Sequence, residues 1–214
     1  MSTILIFVRH GESVGNKIDS FNGSIDHPLS SRGRAQAECT AKFLDRYKID
    51  KIYSSDLSRA YETASFTAKR RDMEIIPSKS LREIDGGNFE GVEYRLLEEK
   101  YPVEYGAWKN DMGNCRCPGG ESVRELLARV SAEVLKIAKD NIGKTVLIAT
   151  HATPIRVMST VWAKRDITKV REFPWVKNAS VTVVNYDDPE NPEVILYDEA
   201  THLAELATEL PSYI

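Results

Sequence analysis

Two short apolar runs in this chain end on the same kind of residue. Ile4-Leu5-Ile6-Phe7-Val8 runs into Arg9-His10-Gly11-Glu12-Ser13, and Thr145-Val146-Leu147-Ile148-Ala149-Thr150 runs into His151. Short β-branched and apolar runs of this kind read as buried strands. A third strand, Lys51-Ile52-Tyr53-Ser54-Ser55, is followed by Asp56-Leu57-Ser58-Arg59-Ala60, which opens a helix. In open α/β sheets ligands bind outside the carboxyl ends of the strands. If these three strands are parallel neighbours, Arg9, His10, Arg59 and His151 converge on one edge of the sheet.

The rest of the chain supports that architecture. Strands at about 3–8, 51–54, 74–76 and 145–150 alternate with helical segments at about 31–47, 57–70, 92–100, 122–139 and 153–163, the rhythm of a layered α/β fold. The helix over 122–139 has the strongest signals. Val123, Leu126, Leu127, Val130, Val134 and Ile137 form one apolar stripe, Ser122 and Glu125 have capping-box spacing, and Gly143 follows its end. Segments 180–186 and 193–197 read as two further strands, joined by turn formers at 187–192, and predict an antiparallel pair at the sheet edge. Residues 84–120 break the rhythm with seven glycines and the aromatics Phe89, Tyr94, Tyr101, Tyr105 and Trp108. That stretch reads as an excursion over the catalytic edge, where loops on a fixed scaffold carry specificity; a plain structural cap is the alternative. The expected fold is a three-layer α/β/α sandwich with a mostly parallel sheet and an antiparallel edge, one domain over 1–214.

Composition narrows the function classes. The net charge is −3, from 29 cations and 32 anions, without the basic excess that nucleic-acid binders show. An anion site here must be a local cluster of cations. Three cysteines, Cys39, Cys115 and Cys117, give no disulfide framework and too few ligands for a zinc site. The first apolar run is shorter than the core of a signal peptide, and no stretch has the length of a membrane span, so a cytoplasmic protein is expected.

The strand-end residues suit phosphoryl transfer. Arginine meets phosphate through a planar fork of donors, and histidine can act as a nucleophile. Arg9 and Arg59 would hold non-bridging oxygens, and His151 would add a hydrogen bond. Asn16 either donates its amide there or shapes the loop. Neighbouring arginines should lower the pKa of His10 and keep its attacking nitrogen neutral. Glu83, Asp85 and Glu12 all remain candidates for the proton donor. His27 and His202 read as structural or solvated, Arg156 as a helix-face residue, and Arg116 as solvated or substrate-contacting.

Taken together, Arg9-His10-Gly11-Glu12-Ser13 with Asn16, Ser54 through Ala64, Leu81-Arg82-Glu83, Phe89-Glu90-Gly91, Pro118-Gly119-Gly120-Glu121-Ser122 and Thr150-His151 resemble the histidine phosphatase superfamily. That family contains the phosphoglycerate mutases and the acid, broad-specificity and alpha-ribazole phosphatases. The motifs keep the family's order over roughly residues 3 to 186. The resemblance implies a phosphohistidine on His10, a phosphate pocket of Arg9, Arg59, His151, Asn16 and Ala152, Glu83 as general acid and base, a small phosphorylated metabolite as substrate, and no metal or cofactor.

Two departures stand out. The family often has glycine after its second histidine where this chain has Ala152, which disfavours positive φ and puts the pocket wall in question. It also often has tryptophan where Phe89 stands. The compact interval from Glu83 to His151, the absence of a Leu-Asn-Lys segment after Gly91 and of a Gly-Pro-rich tail point to a phosphatase over a cofactor-dependent mutase. A catalytically inactive phosphate-binding module would be expected to have lost one of the key residues, and none is lost.

Overall fold

Alternation along the first strand, β1 (Ile4–Arg9), sends Leu5 and Phe7 to one face and Ile6 and Val8 to the other, and both faces are buried. A strand apolar on both sides needs a cover on both sides. The computed structural model, which describes residues 2–208, provides it. Residue 1 and residues 209–214, which the single-domain reading includes, lie outside the described residues. In chain order the further elements are α1 (Ser31–Phe43), β2 (Lys51–Ser55), α2 (Ser58–Arg71), β3 (Ile75–Ser78), α3 (Tyr94–Lys100), α4 (Pro102–Asn110), α5 (Val123–Asp140), β4 (Thr145–Thr150), α6 (Ala152–Trp162), β5 (Val181–Asn185) and β6 (Glu193–Glu199).

The six strands form one sheet in the order β3-β2-β4-β1-β5-β6. The first four are parallel, and β5 and β6 add the expected antiparallel edge. On one face Leu5, Phe7, Val146 and Ile148 pack with Leu126, Val130 and Val134 of α5 and Ile155 and Met158 of α6. On the other, Ile6, Val8, Ile52, Leu147 and Ala149 pack with Ala64 and Ala68 of α2 and Leu44 after α1. Each large aliphatic side chain buried this way contributes about 1.5–3 kcal/mol. The chain is the three-layer α/β/α sandwich that the pattern predicts.

Local signals hold at α5. The Ser122 hydroxyl accepts from the Glu125 N–H at 3.2 Å while the Glu125 carboxylate accepts from the Ser122 N–H at 2.9 Å, a complete capping box. The helix expected over 31–47 stops at Phe43, and a 3₁₀ turn continues it over Leu44–Arg46. The excursion at 84–120 is more ordered than its glycines suggest. It contains α3 and a further helix, α4, which starts on Pro102 at a position where the missing N–H costs nothing. Phe21 reaches into it and meets Phe89 at 5.5 Å and Trp108 at 5.0 Å between ring centroids. Phe89, in the place of the family's tryptophan, is fully buried and also packs on Tyr101 and Tyr105. Cys115 and Cys117 are buried under this layer, and burial pushes the Cys115 thiol up to about 11 and the Cys117 thiol higher still.

Candidate active site

Register brings the two histidines together. Arg9 at the end of β1 pairs with Thr150 at the end of β4, so the next residues, His10 and His151, leave the sheet side by side. The His10 N–H donates to the Thr150 carbonyl at 3.0 Å, and the two rings lie edge to face with centroids 5.1 Å apart. The adjacent strand β2 ends at Ser55, and the first turn of α2 delivers Arg59. All four residues are buried. A side chain on Gly11 would come within 2.4 Å of the Gly33 carbonyl, so glycine is required where the loop after β1 crosses the start of α1.

His10 is held in one tautomer. Its Nδ1 lies 2.7 Å from the Gly11 carbonyl, which can only accept, so Nδ1 carries the proton and Nε2 the lone pair. Arg59 Nε donates to that Nε2 at 3.2 Å. Burial, then the Arg59 and Arg9 charges, hold the imidazole well below the ordinary histidine pKa, so it is neutral. Arg59 is fixed by two further bonds, to the carbonyls of Ile25 at 2.6 Å and Gly23 at 2.9 Å. Arg9 donates to the Val176 carbonyl at 2.5 Å, and its buried Nε has no partner among the described residues. Burial lowers Arg9 to about 10, which leaves it charged near neutrality.

His151 is also neutral, lowered by burial and then by Arg59. Its Nε2 lies 2.8 Å from the Ser55 hydroxyl, while its buried Nδ1 has no partner among the described residues. Ser55 Oγ accepts from the Leu57 N–H at 3.3 Å and can pass its own proton to His151 Nε2. With Ser55 as the donor, the His151 proton lies on Nδ1, which can then donate a hydrogen bond.

These groups border a cavity of about 100 Å³. Arg9, His10, Asn16, Arg59, Glu83 and Ala152 all line it, beneath Tyr94, Trp108 and Trp175. His151 sits directly behind, against His10. Asn16 gives its amide oxygen to the Ser13 N–H, the Ser13 hydroxyl and Asn178, leaving Nδ2 for the cavity, so it both shapes the loop and faces the site. Ala152 opens α6 outside the positive-φ region, so no glycine is needed there.

Of the three acid candidates, only Glu83 borders the cavity. Its two oxygens accept from the N–H groups of Ile84 at 2.9 Å and Thr153 at 3.3 Å. Glu12 turns away to the Ser30 hydroxyl and Lys17, and Asp85 accepts from the Gly87 N–H. Two positioning groups lay beyond sequence reasoning. Thr150 Oγ1 donates to the Leu81 carbonyl at 2.7 Å, tying the Glu83 loop to β4. Arg129 of α5, braced by Glu121, donates to the carbonyls of Ser80, Arg82 and Glu83 at 2.8–3.1 Å.

The histidine phosphatase superfamily (branch 1) matches residues 5–199 of this chain. The chain belongs to this family. Phosphoserine phosphatase 1 of Hydrogenobacter thermophilus is 34% identical over 206 residues, covering 96% of both chains. Phosphoglycerate mutase-like protein 4 of Arabidopsis thaliana is 30% identical, covering 94% of this chain and 87% of the relative. A phosphoserine phosphatase variant from Entamoeba histolytica, solved in complex with phosphoserine, superposes with a TM-score of 0.84 at 25% identity, covering 94% of this chain and 99% of that one.

Two outlying cations of this histidine phosphatase behave differently from each other. Arg116 is exposed, paired with Glu125 and bonded to the Gly120 carbonyl, away from the cavity. Arg156 does lie on a helix face, that of α6, but the face is a buried one. It is 7% exposed, and burial lowers it to about 10. A charge inside an otherwise apolar helix was the available signal, because α6 is buried on nearly every side. His202 is half-buried, tilted against the Phe43 ring at 4.5 Å between centroids and bonded to Thr40, which gives it a structural place. Among the described residues no helix is long and apolar enough to cross a membrane.

Proposed function

We propose that this histidine phosphatase hydrolyses a small phosphomonoester through a phosphohistidine on His10. The observation that carries the reading is the aimed imidazole, with Nδ1–H spent on Gly11 and a neutral Nε2 facing the arginine-lined cavity. The ester phosphate draws Arg59 Nε off His10 and takes donors from Arg9, Arg59, Asn16 Nδ2, His151 Nδ1 and the first turn of α6 at Ala152. His10 Nε2 attacks phosphorus, the P–O bond to the leaving group breaks, and the Glu83 carboxyl gives that oxygen its proton. Water then attacks phosphorus, its proton passes to the Glu83 carboxylate, the N–P bond breaks, and inorganic phosphate leaves. The fixed cations stabilise the charge on the phosphoryl oxygens in the transition state, a role that a metal fills elsewhere.

A retained nucleophile, acid and arginine pair around one cavity supports an enzyme over an inactive phosphate-binding module. The one sheet and its two buried faces support a single domain over the chain, with 84–120 as its cap. The free thiols Cys39, Cys115 and Cys117 fit a reducing, cytoplasmic compartment.

The test is a panel assay in metal-free buffer with chelator present. It would contain p-nitrophenyl phosphate, several metabolite phosphates, and 3-phosphoglycerate with and without 2,3-bisphosphoglycerate. Phosphate release without isomerisation, unchanged by chelator, is the expected result. Bisphosphoglycerate-stimulated conversion of 3- to 2-phosphoglycerate would establish a mutase instead, and activity lost to chelator and restored by metal would overturn the metal-free mechanism.

A further inference from the structure

Beside the small cavity lies a larger one of about 520 Å³, and Tyr94, Trp108 and Trp175 line both. A substrate whose phosphate sits among Arg9, His10 and Arg59 would pass its remaining atoms under these aromatics into the larger space. Four cations, Arg95, Lys109, Arg156 and Arg171, and two carboxylates, Asp19 and Glu98, border that space. Arg95 and Lys109 are neutralised by Glu93 and Glu98. Arg156 and Arg171 have no carboxylate within ion-pair distance among the described residues.

Arg156 is the more informative of the two. Its Nε donates to the Phe173 carbonyl at 2.8 Å, its Nη1 has only the Met112 sulfur at 3.7 Å, and its guanidinium lies 4.1 Å over the Trp175 ring. A buried cation without a counter-ion is costly unless something repays it. Here the backbone carbonyl and the ring face hold the guanidinium in place, and neither satisfies its charge or its outer donors.

The segment 173–176 links this group to the phosphate site. Arg156 is anchored on the Phe173 carbonyl and Arg9 on the Val176 carbonyl, three residues further on. Three residues of fully extended chain span at most roughly 10–11 Å. The two anchor points are therefore one small molecule apart, with Trp175 between them.

Resting on the phosphomonoesterase reading, we infer that the larger cavity is a leaving-group subsite in which Arg156, assisted by Arg171, binds a carboxylate, so that the preferred substrates are phosphomonoesters of small hydroxy or amino acids. A planar carboxylate matches the guanidinium fork, and the Trp175 face behind it keeps the fork oriented. The bond is made to a part of the substrate that does not react, so its energy positions the ester oxygen against the acid.

Paired substrates that differ by one carboxylate test this. The ratio of kcat/KM for phosphoserine over phosphoethanolamine, and for 3-phosphoglycerate over glycerol 3-phosphate, is expected to exceed tenfold in at least one pair. Arg156→Gln should reduce that ratio at least tenfold, and Arg171→Ala should reduce it less. Wild-type ratios near one in both pairs would overturn the inference without any variant. So would an Arg156→Gln protein, folded by circular dichroism, in which both members of the pair fall together, because that is the mark of a purely structural arginine. Failure to release phosphate from any compound, p-nitrophenyl phosphate included, would refute the phosphomonoesterase reading itself.

Discussion

The two adjoining cavities are built in opposite ways. The phosphate end is made at strand termini, where residues consecutive in sequence with buried strands arrive in fixed register. His10 is bonded to Thr150 and Gly11, and Arg59 to Gly23 and Ile25. The far end is a wall of aromatics and cations from α3, α4, α6 and the segment before β5, and part of it is exposed. On the proposed mechanism one end would constrain a group that every phosphomonoester shares, while the other would meet the part that differs. Mutations at the first should cost all substrates alike, and mutations at the second should redistribute preference.

The largest expected effect is at the proposed nucleophile. His10→Ala should lower kcat by roughly a thousandfold or more on every substrate, since covalent catalysis has no substitute here. A folded His10→Ala protein with a small, substrate-dependent loss would break the contrast at its firmest point. Glu83→Gln comes next, with a loss of about 10²–10⁴-fold on alkyl phosphates. That loss should shrink sharply with p-nitrophenyl phosphate, whose leaving group needs no proton, and an equal loss on both would remove the acid role. At the other end, Trp108→Ala should change kcat/KM by about tenfold for some substrates and little for others, as expected when one buried aromatic contact is removed from part of a series. Uniform losses across the panel would make the wall part of the catalytic end.

The smallest effect is on stability against pH. His10 and His151 both sit well below the ordinary value of 6.5 in the folded protein. Above pH 6.5 they are neutral whether folded or unfolded and contribute no pH dependence. As pH falls below 6.5 the unfolded chain takes up protons that the folded one refuses, so stability is lost, by at most about 1.4 kcal/mol per pH unit for each histidine. Denaturation midpoints from pH 7.5 to 5 should show this slope, and His10→Gln with His151→Gln should flatten it. An unchanged slope in the double variant would assign it to other groups.

The same contrast explains what could be read from the sequence. Strand-end residues were legible because a buried strand is a continuous apolar run and the residue after it has a known place. The antiparallel edge was legible from the turn formers at 187–192. The wall was legible only in part: Tyr94 and Trp108 belong to the 84–120 excursion read as lying over the catalytic edge, whereas Arg156 and Trp175 lie far along the chain and join them only in three dimensions. Helix α4 was hidden by Gly106 inside it and by the glycines around it, although Pro102 marked its start. Arg129 lies on the polar side of an amphipathic helix, and its partners are backbone carbonyls, which leave no trace in residue pattern. Ser55 was quoted within a motif, but its hydroxyl's contact with His151 Nε2 is a statement about geometry.

The Arg59 Nε that rests on His10 Nε2 has a consequence for how the free protein meets other chemicals. The lone pair is engaged by that N–H. A visiting anion can draw the guanidinium aside, whereas a neutral alkylating or acylating reagent offers it no inducement to leave. On the proposed mechanism one group would both cover the attacking nitrogen and receive the phosphate, and reagents such as diethyl pyrocarbonate should find this imidazole slow to modify for reasons beyond its burial.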